Sequence, residues 1–116
     1  MTDDGRYLAI DPSWSTAKAD DVVTACLQRA VEACIAHQAT EPLNPGSAKH
    51  QAWGFRFDKL LDDYWHWRDV AGRRCMFDVV EAASEQVYDA GEAHRARIGS
   101  RRAASARRTP RPVTEP

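Results

Sequence analysis

The sequence predicts an all-α protein: a small three-helix bundle with an N-terminal extended arm and a disordered basic C-terminal tail. Three observations lead there. Apolar residues recur at three- and four-residue steps over three long segments, the helical period. Proline, glycine and capping residues sit between those segments. The last 18 residues, 99–116, nearly lack large apolar side chains and repel through like charge, as disordered chain does.

Residues 1–16 are assigned to the arm. Met1–Arg6 is polar, and Tyr7-Leu8-Ala9-Ile10 is a short apolar run ending at Asp11-Pro12. Ser13 to Thr16 supplies helix-capping residues, and Asp20 and Asp21 suit the positive end of a helix dipole. The first helix is expected over about 17–39, with Val23, Cys26, Leu27, Ala30, Val31, Cys34 and His37 on one face. The segment Thr40–Gly46 holds two prolines and a glycine and breaks the chain. Ser47 is placed to cap a second helix over about 48–71, whose inner face is Trp53, Phe57, Leu60, Leu61, Tyr64 and Ala71. Gly54 costs about 1 kcal/mol relative to alanine there, which makes a break near it an option. Gly72 is expected to end this helix, with Arg73 and Arg74 near its negative end. The third helix is expected over about 74–98, with Met76, Val80, Ala83, Val87, Ala90, His94 and Ile98 inward. The bundle is therefore assigned to 17–98 and the arginine-rich tail to 99–116.

Charge is divided unevenly. Residues 1–94 carry nine basic and sixteen acidic side chains, whereas residues 95–116 carry seven arginines and one acid. Arginine outnumbers lysine 13 to 3 and alanine occurs 19 times, the composition expected of a GC-rich bacterial or phage genome. No apolar run approaches the ~18 residues of a membrane span, and no secretory leader is read at the N-terminus, so no membrane partner and a cytoplasmic location are expected.

Little in the chain points to catalysis. The three cysteines, Cys26, Cys34 and Cys75, lack a metal-ligand spacing and are expected to be reduced. Asp62 and His66 are one helical turn apart, but no second ligand pair is brought to them by sequence, so a solvated acidic face is the reading. His37 and His94 are expected as hydrogen-bonded core or boundary residues. Catalytic residues, metal and cofactors are all assigned as none, and the chain is read as not an enzyme.

The aromatic residues carry the functional reading. Trp53, Phe55, Phe57, Tyr64, Trp65, Trp67 and Phe77 are seven of the ten aromatics and fall within 25 residues. Trp65 and Trp67 lie about 160° apart on a helix, so one core face cannot hold both. Either the second helix is central and packed on two sides, or one tryptophan faces outward. The expected function is a protein-interaction module, such as an adaptor, an inhibitor or a small subunit, with Phe55, Trp65, Asp58, Asp62, Asp69, Glu81, Glu85 and Asp89 meeting a protein partner. A homodimer through the exposed aromatics is a further option. The alternative is a nucleic-acid-associated accessory protein that holds phosphates through Arg73, Arg74, Arg101, Arg102, Arg107, Arg108 and Arg111. A bland rival to both has residues 99–116 folding back on the acidic stripe at Glu81, Glu85 and Asp89.

Overall fold

A computed structural model describes residues 10–108. They form three α-helices with no strand among the described residues: α1 (Thr16–Gln38), α2 (Ala48–Arg73) and α3 (Phe77–Arg108). The all-α class is what the sequence predicts. Of the arm, residues 10–15 are a turn and an extended lead-in, closed by Trp14 N–H donating to Asp11 O at 3.0 Å. The Tyr7–Ala9 run lies outside the described residues.

Local chemistry explains where the first two helices begin. Ser15 is extended, and its side chain accepts from Lys18 N–H at 3.1 Å. Ser47 does the same for His50 N–H at 3.1 Å. Each satisfies one of the orphan donors of a first turn. Asp20 falls beyond the first turn of α1, and its carboxylate instead accepts from Arg74 Nε at 2.8 Å, tying the end of α2 to α1.

The core is built mainly on α1. Val23, Leu27 and Val31 are fully enclosed, with Ala19, Cys26, Ala30 and Cys34 beside them. Against this stripe pack Tyr64, Trp67 and Ala71 of α2 and Ala83 of α3. A pair of amide hydrogen bonds between Gln28 and Gln86, at 3.1 and 3.2 Å, joins α1 to α3. The central helix is thus α1. The alternative of a central, doubly packed α2 does not hold: α2 buries only Tyr64, Trp67 and Ala71 and turns its opposite side to solvent.

Three boundaries differ from the sequence expectation. First, α2 runs through Gly54 without a break. Second, α2 passes Gly72 and ends at Arg73, and the left-handed residue is Cys75, with φ of 59°. Met76 N–H bonds Ala71 O at 2.9 Å and Cys75 N–H bonds Gly72 O at 3.0 Å, the paired bonds of a Schellman turn. The turn fixes its own position through those two bonds, and a cysteine takes the place glycine normally fills.

Third, the expected disordered tail does not begin at 99. Helix α3 continues through Gly99 to Arg108. Ile98 is buried, and Arg102, one turn later on the same face, donates to Leu43 O at 2.7 Å. Docking and the alanine-rich sequence outweigh a glycine cost of about 1 kcal/mol. Residues 99–108 extend away from Glu81, Glu85 and Asp89, so they do not fold back on that stripe. Residues 109–116, with Arg111, lie outside the described residues.

Candidate docking face on the helical hairpin

The short turn at 74–76 makes α2 and α3 an antiparallel hairpin, with α1 packed behind it. Four large apolar side chains are exposed among the described residues: Phe55 at 64%, Trp65 at 53%, Phe77 at 65% and Tyr88 at 64%. All four lie on the hairpin and none on α1. The outward alternative for Trp65 is the observed one, while Trp67 is buried in the core.

Helical periodicity explains why these residues share a side. On α2, Phe55, Asp58, Asp62, Trp65 and Asp69 are spaced three, four, three and four residues and fall within an arc of about 80°. All five are exposed. On α3, Phe77 and Tyr88 fall within about 20° of each other, with Glu81 and Glu85 within about 80° of Phe77. Arg68 Nε donates to Ser84 Oγ at 3.0 Å and sets the level of one helix against the other. Trp65, three residues before Arg68, therefore lies level with about residue 87, next to Tyr88.

A groove of about 440 Å³ runs between the helices near the turn, with Trp65 and Phe77 at its lips and Gly72 and Val80 beneath. The Arg68 guanidinium lies 5.0 Å from the Trp65 ring centroid, a cation–π contact that holds the indole in place. Arg73 pairs with Asp69 at 3.0 Å on the rim. The exposed acids Asp58, Asp62, Glu81 and Glu85 surround this apolar strip.

The structure therefore brings Phe55, Trp65, Asp58, Asp62, Asp69, Glu81 and Glu85 onto one face. Asp89 is exposed but turned about 100° from Tyr88, which takes it off this face. Sequence reasoning missed Phe77 and Tyr88 as surface residues. The signal was available: each lies directly after an inward residue, Met76 or Val87, and so points about 100° away from the apolar stripe.

The arginines assigned to phosphate binding divide. Arg74 is held by Asp20, and Arg102 by the α1–α2 loop. Arg101 and Arg107 are exposed, and Arg108 is the last helical residue.

At the opposite end of the bundle lies a polar cluster with no signature in the sequence. Glu41, in the α1–α2 loop, is 15% exposed at its side chain and accepts from His50 Nε2 at 2.7 Å, His94 Nε2 at 2.8 Å and Arg102 Nη2 at 3.3 Å. Partial burial by itself pushes the Glu41 carboxyl up. The hydrogen bonds from His94 and His50 and the charge of Arg102 outweigh it and hold the group below the ordinary carboxylate range. Arg97 Nη2 lies 3.0 Å from His94 Nδ1. A guanidinium only donates, so His94 accepts at Nδ1 and carries its proton on Nε2. Beside this cluster, Trp53 Nε1 donates to His37 O at 2.8 Å and the His37 ring stacks on Trp53 with centroids 5.3 Å apart.

His50 and His94, far apart in sequence, do meet. They meet around a carboxylate already occupied by an arginine, and among the described residues no group of three such side chains is arranged to hold a metal ion. The three cysteines are free thiols, with Cys26 and Cys34 buried and Cys75 exposed. Burial, with the nearby Asp63 charge, pushes the Cys34 thiol up to about 11, which leaves it protonated and unreactive at neutral pH. No described helix is long and apolar enough to cross a membrane. Comparison with known protein families, characterised proteins and solved structures finds no match, so the reading of this face rests on its own chemistry.

Proposed function

We propose that this chain is a non-enzymatic protein-interaction module that docks a protein partner on the exposed face of its α2–α3 hairpin. One observation carries the reading. Every exposed large apolar side chain of the described residues falls on that hairpin, with Trp65 and Phe77 flanking a groove. Exposed apolar patches of this kind mark interaction surfaces, and tryptophan, tyrosine and arginine dominate binding hot spots. The surrounding carboxylates favour a partner whose contacting surface is basic at its rim.

Trp65→Ala tests it. Trp65 is half exposed, so circular dichroism and the unfolding midpoint should stay within about 1 kcal/mol of wild type. A protein retained from nuclease-treated host extract by immobilised wild type should then be lost with Trp65→Ala. Equal retention by the two forms would overturn the reading.

A second reading keeps the arginines of α3 in view. Arg101 and Arg107 are exposed on a helical segment whose last sixteen residues hold six arginines and no acid. That composition supports non-specific attachment to a phosphate backbone, with affinity falling steeply as salt rises. Loss of DNA or RNA binding on Arg101→Ala/Arg107→Ala, with Trp65→Ala without effect, would favour it.

A further inference from the structure

The α2–α3 hairpin is polarised along its length in charge, and α3 is polarised in side-chain size as well. The half of the hairpin nearest the turn, residues 60–73 and 77–92, carries eight acids against Arg68 and Arg73, a net of −6. The far half, residues 48–59 and 93–108, carries Lys49, Arg56, Lys59 and six arginines against Asp58, a net of +8. On α2 each half exposes one aromatic, Trp65 in the acidic half and Phe55 in the basic half. On α3 both exposed aromatics, Phe77 and Tyr88, are in the acidic half. On the arc of α3 that holds Phe77 and Tyr88, the basic half offers Gly99, Ala103 and Ala106, all exposed, and a Cβ on Gly99 would meet nothing within 4 Å.

We infer that the occupant of this face is a second copy of the chain, laid antiparallel across it about a two-fold axis near Glu92 and Arg95. This rests on the proposal that the hairpin face docks protein, and it names the partner. A surface that is acidic at one end and basic at the other, with the large side chains of α3 at its acidic end and small ones at its basic end, complements itself when turned end for end, the self-complementarity an isologous dimer requires. With the axis near Glu92 and Arg95, Glu92 of one copy meets Arg95 of the other. The level of Trp65, about residue 87 of α3, then falls over the stretch near Gly99 in the other copy. The size also fits. The face is about 39 Å long, from the 26 residues of α2, and about 18 Å wide, a footprint near the roughly 800 Å² per partner of a stable interface. A parallel arrangement would set acid on acid and arginine on arginine.

The mass of the full chain in solution, by light scattering at low and high salt, is the first test. The dimer has twice the 13.0 kDa chain mass at low salt and a larger dissociation constant at high salt. Glu92→Arg and Arg95→Glu should each be monomeric when alone, because each variant opposes like charges across the axis. Their equimolar mixture, in which both charge pairs across the axis are again of opposite sign, should recover the dimeric mass. Both positions are exposed, and circular dichroism checks that each variant is folded. Orientation is read by a short bis-maleimide linker. It should join chains through Cys in Glu92→Cys/Cys75→Ser and leave wild type unjoined at Cys75, because the two copies of Cys75 lie at opposite ends. A monomeric wild type, a mixture that stays monomeric, or joining through Cys75 would overturn the inference. If a host protein is still lost with Trp65→Ala while the wild type is monomeric, the docking proposal stands and the second copy does not. If Trp65→Ala changes neither mass nor retention, both fall.

Discussion

The two ends of the bundle are closed by different means. At the turn between α2 and α3 the closure is mainly local: two backbone bonds and one left-handed residue within six positions of chain, with a single long-range tie from Arg74 to Asp20. At the other end it is long-range. Glu41 gathers donors from His50, His94 and Arg102, up to 61 residues away. The local closure is set by backbone geometry and tolerates changes of side chain. The long-range closure depends on every member, because each bond withdraws a polar group from water.

Glu41→Ala should therefore produce the largest loss. It leaves His94, 5% exposed, without its acceptor and Arg102 without its counter-charge. Leaving buried polar and charged groups unsatisfied costs about 2–4 kcal/mol. Denaturant unfolding should show that loss, and amide exchange should show faster opening of residues 95–108 than of the 71–80 turn. Equal acceleration at both ends would dissolve the contrast.

Acid should act on the long-range end through Glu41. Because the folded Glu41 carboxyl sits below its ordinary value, it contributes stability that is complete above the ordinary carboxylate range, about 4.3. That contribution is lost as pH falls through the lower folded value. Unfolding free energy measured on descending pH should fall more steeply in wild type than in Glu41→Gln, which carries no titrating group at this position. Parallel acid limbs would show that the carboxylate contributes nothing.

The smallest effect belongs to the turn, and it has the opposite sign. A non-glycine residue in the left-handed region costs about 1–2 kcal/mol, and glycine returns part of that through the entropy of the unfolded chain. Cys75→Gly should raise stability by up to about 1 kcal/mol, read as a higher denaturation midpoint at unchanged slope.

Legibility in the sequence follows the same division. Ser15 and Ser47, the apolar spacing of α1 and the two-way choice for Trp65 and Trp67 are short-range properties, and all could be read. The sequence places the α2 end two residues early, at 71, because Gly72 is the stronger left-handed candidate by intrinsic preference while the hydrogen bonds select Cys75. Gly99 was read as a terminus for a related reason: nothing nearby in sequence shows that Arg102 has the Leu43 carbonyl to bind. The Glu41 cluster was invisible because its members are separated by up to 61 residues and a single acid between two helices carries no periodicity. The exposed face proposed for docking was legible on α2, where five residues follow one spacing. It was incomplete on α3, where Phe77 and Tyr88 border the inward stripe.

The continuous run of α3 to Arg108 has a consequence for how the molecule is made. Emerging from the ribosome, α1 and α2 can pair as soon as residue 73 is clear, with the His37–Trp53 contact available to them. Glu41 then already holds His50, but its remaining donors arrive only when residues 94 and 102 have been synthesised. The loop joining the first two helices thus waits on partners 53 and 61 residues further along the chain. A nascent protein stopped short of residue 94 would present its first hairpin formed and its loop still open, with this end of the bundle closing only once residue 102 has emerged.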